Sequence, residues 1–115
     1  MPFTTEQLEQ YVSGQLIGRG DVQCQGVEID TRRALHGKIF FALKGEQADG
    51  HDFVDDAIQK GCAAVVVSKP VKCEVPVVIV ECPRSSLFEL ALKRREFVTG
   101  TVIAITGSVG KTTKK

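Results

Sequence analysis

Ala63-Ala64-Val65-Val66-Val67 and Val77-Val78-Ile79-Val80 are two apolar, β-branched runs, joined by residues 70–76 with proline at both ends. A run without alternation belongs to a strand covered on both faces, the habit of parallel strands flanked by helices. Upstream, Phe53, Ala57 and Ile58 recur at helical spacing, and Gly61 closes the turn. Before that helix, Ile39-Phe40-Phe41-Ala42-Leu43 is another short apolar strand, followed by a loop over 44–52 rich in glycine and charge. Downstream, Pro83 suits the first turn of a helix carrying Leu87, Leu90, Ala91 and Arg94, with Phe88 and Leu92 widening its apolar face. Such alternation is α/β: a mixed, partly parallel sheet with flanking helices.

The amino-terminal segment extends the pattern. Thr4 reads as an N-cap with Gln7 as its capping-box partner, and Phe3 and Leu8 are spaced for a hydrophobic staple. Leu8, Tyr11 and Val12 share one face of the helix, which should end near Gly14. Val22, Cys24, Val27 and Ile29 then suggest one strand with an irregularity at Gly26. Lys93, Arg94 and Arg95 suit the carboxyl end of the last helix and read as a solvated face.

At 115 residues and a net charge of +1, the chain is long enough for a real core and gives no electrostatic case for nucleic acid or a membrane surface. No run reaches the length of a membrane span, and the start lacks a signal-peptide pattern, so a cytoplasmic monomer is expected. Cys24, Cys62, Cys73 and Cys82 form no C-x-x-C pair, and His36 and His51 complete no zinc pattern, so reduced structural thiols are expected.

Chemistry enters at the carboxyl end. Val102-Ile103-Ala104-Ile105 is a strand that breaks into Thr106-Gly107-Ser108-Val109-Gly110-Lys111-Thr112-Thr113. Gly107 and Gly110 let successive N–H groups curl toward phosphate oxygens; Lys111 can reach the outer phosphates, and the Thr112 hydroxyl can ligate magnesium. The general phosphate-loop pattern asks for glycine where Ile105 stands. The plain alternative is a surface turn with a solvated lysine, but a strand feeding straight into the loop is the context the pattern requires. The boundary is expected near residue 98. Residues 1–98 would form one compact domain, and 99–115 the first strand and phosphate loop of a truncated ATP-binding domain.

Two loops of the first domain invite a ligand. Ile29-Asp30-Thr31-Arg32-Arg33 clusters a carboxylate, a hydroxyl and guanidinium groups at a strand end. The plain reading has Asp30 stabilising the turn and Arg32 in a structural ion pair. Lys44-Gly45-Glu46-Gln47-Ala48-Asp49-Gly50-His51-Asp52 joins a strand to a helix, where open α/β sheets collect ligands. There, Asp49 or Asp52 capping the helix and His51 acting as a loop hydrogen-bonder are the plain readings.

These stretches, with His36-Gly37-Lys38-Ile39-Phe40-Phe41-Ala42-Leu43-Lys44-Gly45, Asp49-Gly50-His51-Asp52-Phe53 and the phosphate loop, resemble the ATP-dependent Mur ligases of bacterial cell-wall synthesis. The resemblance runs through nearly the whole chain. It is strongest to the branch that joins D-alanyl-D-alanine to UDP-N-acetylmuramoyl-tripeptide, with the branch adding the third peptide residue as the alternative. It implies ATP and Mg²⁺, phosphorylation of the tripeptide carboxylate, and attack of the D-alanyl-D-alanine amine on the acyl phosphate. Gly107, Ser108, Val109, Gly110, Lys111, Thr112 and Thr113 would hold ATP. Lys111 and Thr112 would be catalytic, with Thr112 on the metal. Ile29, Thr31, Gln47 and Ala48 would contact the uridine end of the sugar nucleotide. An unrelated phosphate-loop enzyme, or a non-catalytic nucleotide-sugar-binding module, would share some of these features.

Overall fold

The computed structural model describes residues 3–32, 34–43 and 50–94. In chain order these form β1 (Phe3–Thr4), α1 (Thr5–Val12), β2 (Gln15–Ile17), β3 (Gln23–Cys24), β4 (Val27–Glu28), β5 (Ile39–Phe41), a 3₁₀ turn (Gly50–Phe53), α2 (Val54–Gln59), β6 (Ala64–Val67), β7 (Val77–Ile79) and α3 (Pro83–Lys93). Five strands make the main sheet in the order β2-β7-β6-β5-β4, while β1 and β3 pair separately. The β4–β5, β5–β6 and β6–β7 pairs are parallel, and β2 runs antiparallel to β7. The expected mixed, partly parallel sheet is therefore what the chain forms.

The absence of alternation in β5, β6 and β7 has a simple cause. Ile39, Phe41, Ala64, Val66, Val78 and Val80 pack on one face with Leu8 and Val12 of α1 and Leu87, Leu90 and Ala91 of α3. Phe40, Val65, Val67 and Val77 pack on the other with Val54 and Ala57 of α2. Each face needs its own apolar residues, so every position along the strand is apolar. A fully buried aromatic such as Phe40 contributes about 1.5–3 kcal/mol relative to leaving it exposed.

The cap of α1 is as read: Thr4 Oγ1 accepts from the Gln7 N–H at 3.3 Å, and Gln7 Oε1 accepts from the Thr4 N–H at 3.0 Å. The helix ends at Ser13, which takes the left-handed conformation at φ 55°, and the Gly14 N–H returns to the Glu9 carbonyl. Gly14 is required for space. A Cβ there would lie 2.6 Å from Val78 Cγ1 and 2.9 Å from the Ile79 carbonyl.

Three expectations change, and one strand is added. The single strand over Val22–Ile29 is two strands in two sheets. Gln25 N–H bonds to the Gly37 carbonyl and Ile39 N–H to the Gly26 carbonyl, so the chain crosses from β1's partner to β5's partner at Gln25 and Gly26. Strand β2 carries no pattern that would reveal it, being three residues long with Gln15 and Ile17 exposed. Leu92 widens no apolar face, since it is 81% exposed. Nor is the basic cluster simply solvated. Lys93 Nζ donates to the Tyr11 carbonyl at 3.0 Å and Arg94 to the Tyr11 hydroxyl at 2.9 Å. The Arg94 guanidinium lies 5.5 Å from the Phe3 ring centre and 5.7 Å from that of Tyr11, so it closes α3 onto α1 through cation–π contact. Arg95 lies outside the described residues.

Candidate functional site

Because β4, β5 and β6 are parallel, their carboxyl ends open on one side of the sheet. Three segments leave there: Ile29 to Arg32 after β4, Leu43 and the 3₁₀ turn after β5, and Ser68 after β6. Between the first two lies a cavity of about 500 Å³ lined by Ile29, Asp30, Thr31, Arg32, Phe40 and Phe53. This is where open α/β sheets receive ligands. A larger concavity of about 720 Å³ opens at the opposite end, where β6 and β7 begin, among Cys62, Cys73 and Val75. No residue singled out for chemistry in the sequence lines that one.

The wall after β4 is tightly determined. The Asp30 carboxylate accepts from the Arg32 N–H at 2.9 Å, and the Arg32 side chain returns to both oxygens at 3.0–3.3 Å. Asp30 thus closes the turn and Arg32 makes the ion pair, as the plain reading has it; the carboxylate beside it holds the guanidinium further above its ordinary pKa. From across the sheet, Lys60 at the end of α2 donates its Nζ to the Thr31 carbonyl. Half-buried Thr31 lines the cavity, and its hydroxyl makes no hydrogen bond to another described residue. Phe40 forms the buried floor, and Phe53, 39% exposed, presents a ring to the opening. An apolar floor, a half-exposed ring and a hydroxyl with capacity to spare suit a flat heteroaromatic group bearing polar edges.

The opposite rim is pinned at both ends. The Gly50 N–H donates to the Leu43 carbonyl at 2.7 Å. A Cβ on Gly50 would stand 2.6 Å from Leu43 N and 2.8 Å from Leu43 O, so only glycine lets the two backbones meet. His51 Nε2 accepts from the Ser68 N–H at 3.0 Å, tying the 3₁₀ turn to the end of β6. His51 is therefore a loop hydrogen-bonder. Asp52 sits inside the 3₁₀ turn and Phe53 takes the N-cap position of α2, so the expected cap by Asp52 is not made. The turn itself delivers the chain into the helix, which removes the need for one.

The structure thus brings Ile29 and Thr31 together on one wall. Gln47 and Ala48 lie outside the described residues, as do Arg33, Asp49, the expected strand Val102 to Ile105 and the whole expected phosphate loop Gly107, Ser108, Val109, Gly110, Lys111, Thr112 and Thr113. Among the described residues, no group of three or more His, Cys, Asp or Glu side chains is placed to hold a metal, and no helix is long and apolar enough to cross a membrane. Sequence reasoning missed Phe40 and Phe53 as site residues and Lys60 as a clamp. Phe53 was within the quoted motif, but only the register pairing Glu28 with Phe40 reveals which face of β5 floors the cavity.

The fold is thus an α/β domain whose parallel strands open on a cavity walled by Thr31 and Asp30 and floored by Phe40. Residues 23–100 match the Mur ligase family, catalytic domain, and the chain belongs to that family. It is 41% identical over 114 residues to the UDP-N-acetylmuramoyl-tripeptide–D-alanyl-D-alanine ligase of Haemophilus influenzae, covering 98% of this chain and 25% of that protein. It is 40% identical over 96 residues to the UDP-N-acetylmuramoyl-L-alanyl-D-glutamate–2,6-diaminopimelate ligase of Geobacillus kaustophilus, covering 82% of this chain and 20% of that one. Among solved structures, MurF from Acinetobacter baumannii superposes with a TM-score of 0.75 at 33% identity, over 84% of this chain and 22% of that chain. The chain thus spans a fifth to a quarter of the length of these curated relatives.

Proposed function

We propose that this chain holds the UDP-sugar end of UDP-N-acetylmuramoyl-tripeptide for an ATP-dependent ligase that joins D-alanyl-D-alanine to the tripeptide in cytoplasmic peptidoglycan synthesis. The observation that carries the reading is the cavity after β4, where Ile29 and Thr31, the described positions matched to the family's uridine contacts, share one wall. Ile29 would pack on the base or ribose, the Thr31 hydroxyl would take a polar edge, and Gln47 and Ala48 would also contact the uridine end. Residues 1–98 would be this substrate-holding domain, and 99–115 would open the ATP-binding one. There, Gly107 to Thr113 would cradle the ATP phosphates, Lys111 would neutralise charge as the phosphoryl group moves, and Thr112 would hold Mg²⁺. Activation as an acyl phosphate gives the tripeptide carboxylate a leaving group, so the incoming amine can expel phosphate.

Titration of the purified chain separates this from its rivals. UDP-N-acetylmuramoyl-tripeptide should bind, ATP should bind more weakly or not at all, and no turnover should occur. Robust ATP hydrolysis by these 115 residues would refute the division of labour. The diaminopimelate-adding reaction is the second reading, favoured by the Geobacillus relative. It predicts tighter binding of the UDP-linked dipeptide than of the tripeptide in the complete ligase.

A further inference from the structure

We propose that Glu28 is a positioning residue for the candidate site, its carboxylate fixing the backbone of Ile29 and Asp30 so that Thr31 presents its hydroxyl to the cavity. Glu28 ends β4 and is only 6% exposed, the sole charged side chain among the buried described residues. Burying a carboxylate is costly unless hydrogen bonds replace its water. Here Oε2 accepts from the Ile29 N–H at 3.1 Å and from the Asp30 N–H at 3.3 Å. Among the described residues β4 is the outer strand of the sheet, with no further described strand beside it to hold the N–H groups that leave its end. The carboxylate does that work.

Its consequence reaches Thr31 through a short chain of constraints. Glu28 fixes the peptide groups that carry the Ile29 and Asp30 N–H, Asp30 fixes the one after Thr31 by binding the Arg32 N–H, and Lys60 holds the Thr31 carbonyl. With the backbone held upstream and downstream of it, Thr31 has its Cβ direction set beside the cavity it lines. The register partner of Glu28 is Phe40, the cavity floor, so the clamp sits directly beside the surface it serves. An apolar residue could fill the space at lower desolvation cost, but it would leave both N–H groups without an acceptor.

The proposal rests on the reading of the cavity as the uridine site, and its test separates the two. UDP-N-acetylmuramoyl-tripeptide is titrated into wild type, Glu28→Gln and Glu28→Ala, and amide hydrogen exchange is followed at Ile29 and Asp30 in each free protein. Glutamine keeps an oxygen of similar reach, so Glu28→Gln should retain amide protection and bind within about threefold of wild type. Glu28→Ala should lose protection at both amides and bind about tenfold more weakly, a change of about 1.4 kcal/mol. Wild-type affinity in Glu28→Ala overturns the proposal, as does equal weakening by glutamine and alanine. Should Glu28→Ala fail to fold, Glu28→Gln decides alone: retained binding upholds the role and lost binding overturns it. If wild type does not bind the probe, the uridine reading falls, and retained amide protection in Glu28→Ala would sink the clamp as well, while its loss would leave the clamp standing.

Discussion

Replacing Gly50 with alanine tests how strictly the far rim of the cavity is held. Gly50 does not have a positive φ, so the argument is one of space alone. The added methyl would stand 2.6 Å from Leu43 N, 2.8 Å from Leu43 O and 2.9 Å from the Ala42 carbonyl carbon, where contact between such atoms is ordinarily 3.4 Å or more. All three neighbours are backbone, so no rotamer change can relieve the clash. The chain must move apart, and the 2.7 Å bond from the Gly50 N–H to the Leu43 carbonyl is lost. Losing that bond costs about 1 kcal/mol, and the forced backbone shift adds about 1–2 kcal/mol. A domain of this size loses roughly 4–8 °C of midpoint per kcal/mol, so thermal unfolding should fall by about 10 °C or more. Gly26→Ala is the control: there the new methyl meets the aliphatic stem of Lys38 at 3.6–3.7 Å, ordinary contact, and the midpoint should hold. Differential scanning calorimetry reads both. If Gly50→Ala melts with wild type, or if the control falls further, the close-approach reasoning is wrong. Binding of UDP-N-acetylmuramoyl-tripeptide should weaken in Gly50→Ala alone.

Arg94→Ala removes a guanidinium from two rings and a hydrogen bond from the Tyr11 hydroxyl. It should cost about 1–2 kcal/mol in urea unfolding, and a loss below about 0.3 kcal/mol would show the α1–α3 closure to be idle. Among the thiols, exposed Cys82 is lowered by hydrogen bonds from Ser85, whereas burial pushes Cys62 up to about 11 and Cys24 to about 12. Iodoacetamide mapped by mass spectrometry should therefore label Cys82 first and at lower pH, and early labelling of Cys24 would contradict its burial. The same shift gives a sign for stability. Between about pH 9 and 12 the Cys24 thiol ionises in the unfolded chain alone, so its contribution is complete below 9 and drains away as pH rises. Cys24→Ala should flatten that alkaline slope. Lys111→Ala should abolish ligation in the complete ligase while leaving the melting of residues 3–94 unchanged, and a shifted midpoint here would count against the boundary near residue 98.

Much of the frame was legible because local chemistry and tertiary packing agree. The Thr4–Gln7 box needs no distant partner, and the valines of β6 and β7 report a strand covered on both faces whichever neighbours cover it. What escaped depends on neighbours far along the chain. Strand β2 exists because Gln15, Leu16 and Ile17 find β7 some sixty residues later. Gly26 is a crossing between sheets because Lys38's turn and β1 pull on either side. Arg94 looks like a solvent cation until α1 brings Tyr11 beneath it. At the cavity, the polar side of the wall was readable in the run from Ile29 to Arg32. Its aromatic floor and the clamps from Glu28 and Lys60 were not, since they follow from register and from a helix thirty residues downstream.

The antiparallel seating of β2 against β7 has a practical outcome for anyone redesigning the protein. It closes one border of the sheet with a strand that supplies no lining residue to the cavity beside β4, so that border serves the frame alone. A library that varies only Thr31 and Phe53 would explore new ligands while leaving every strand residue of the sheet as it is.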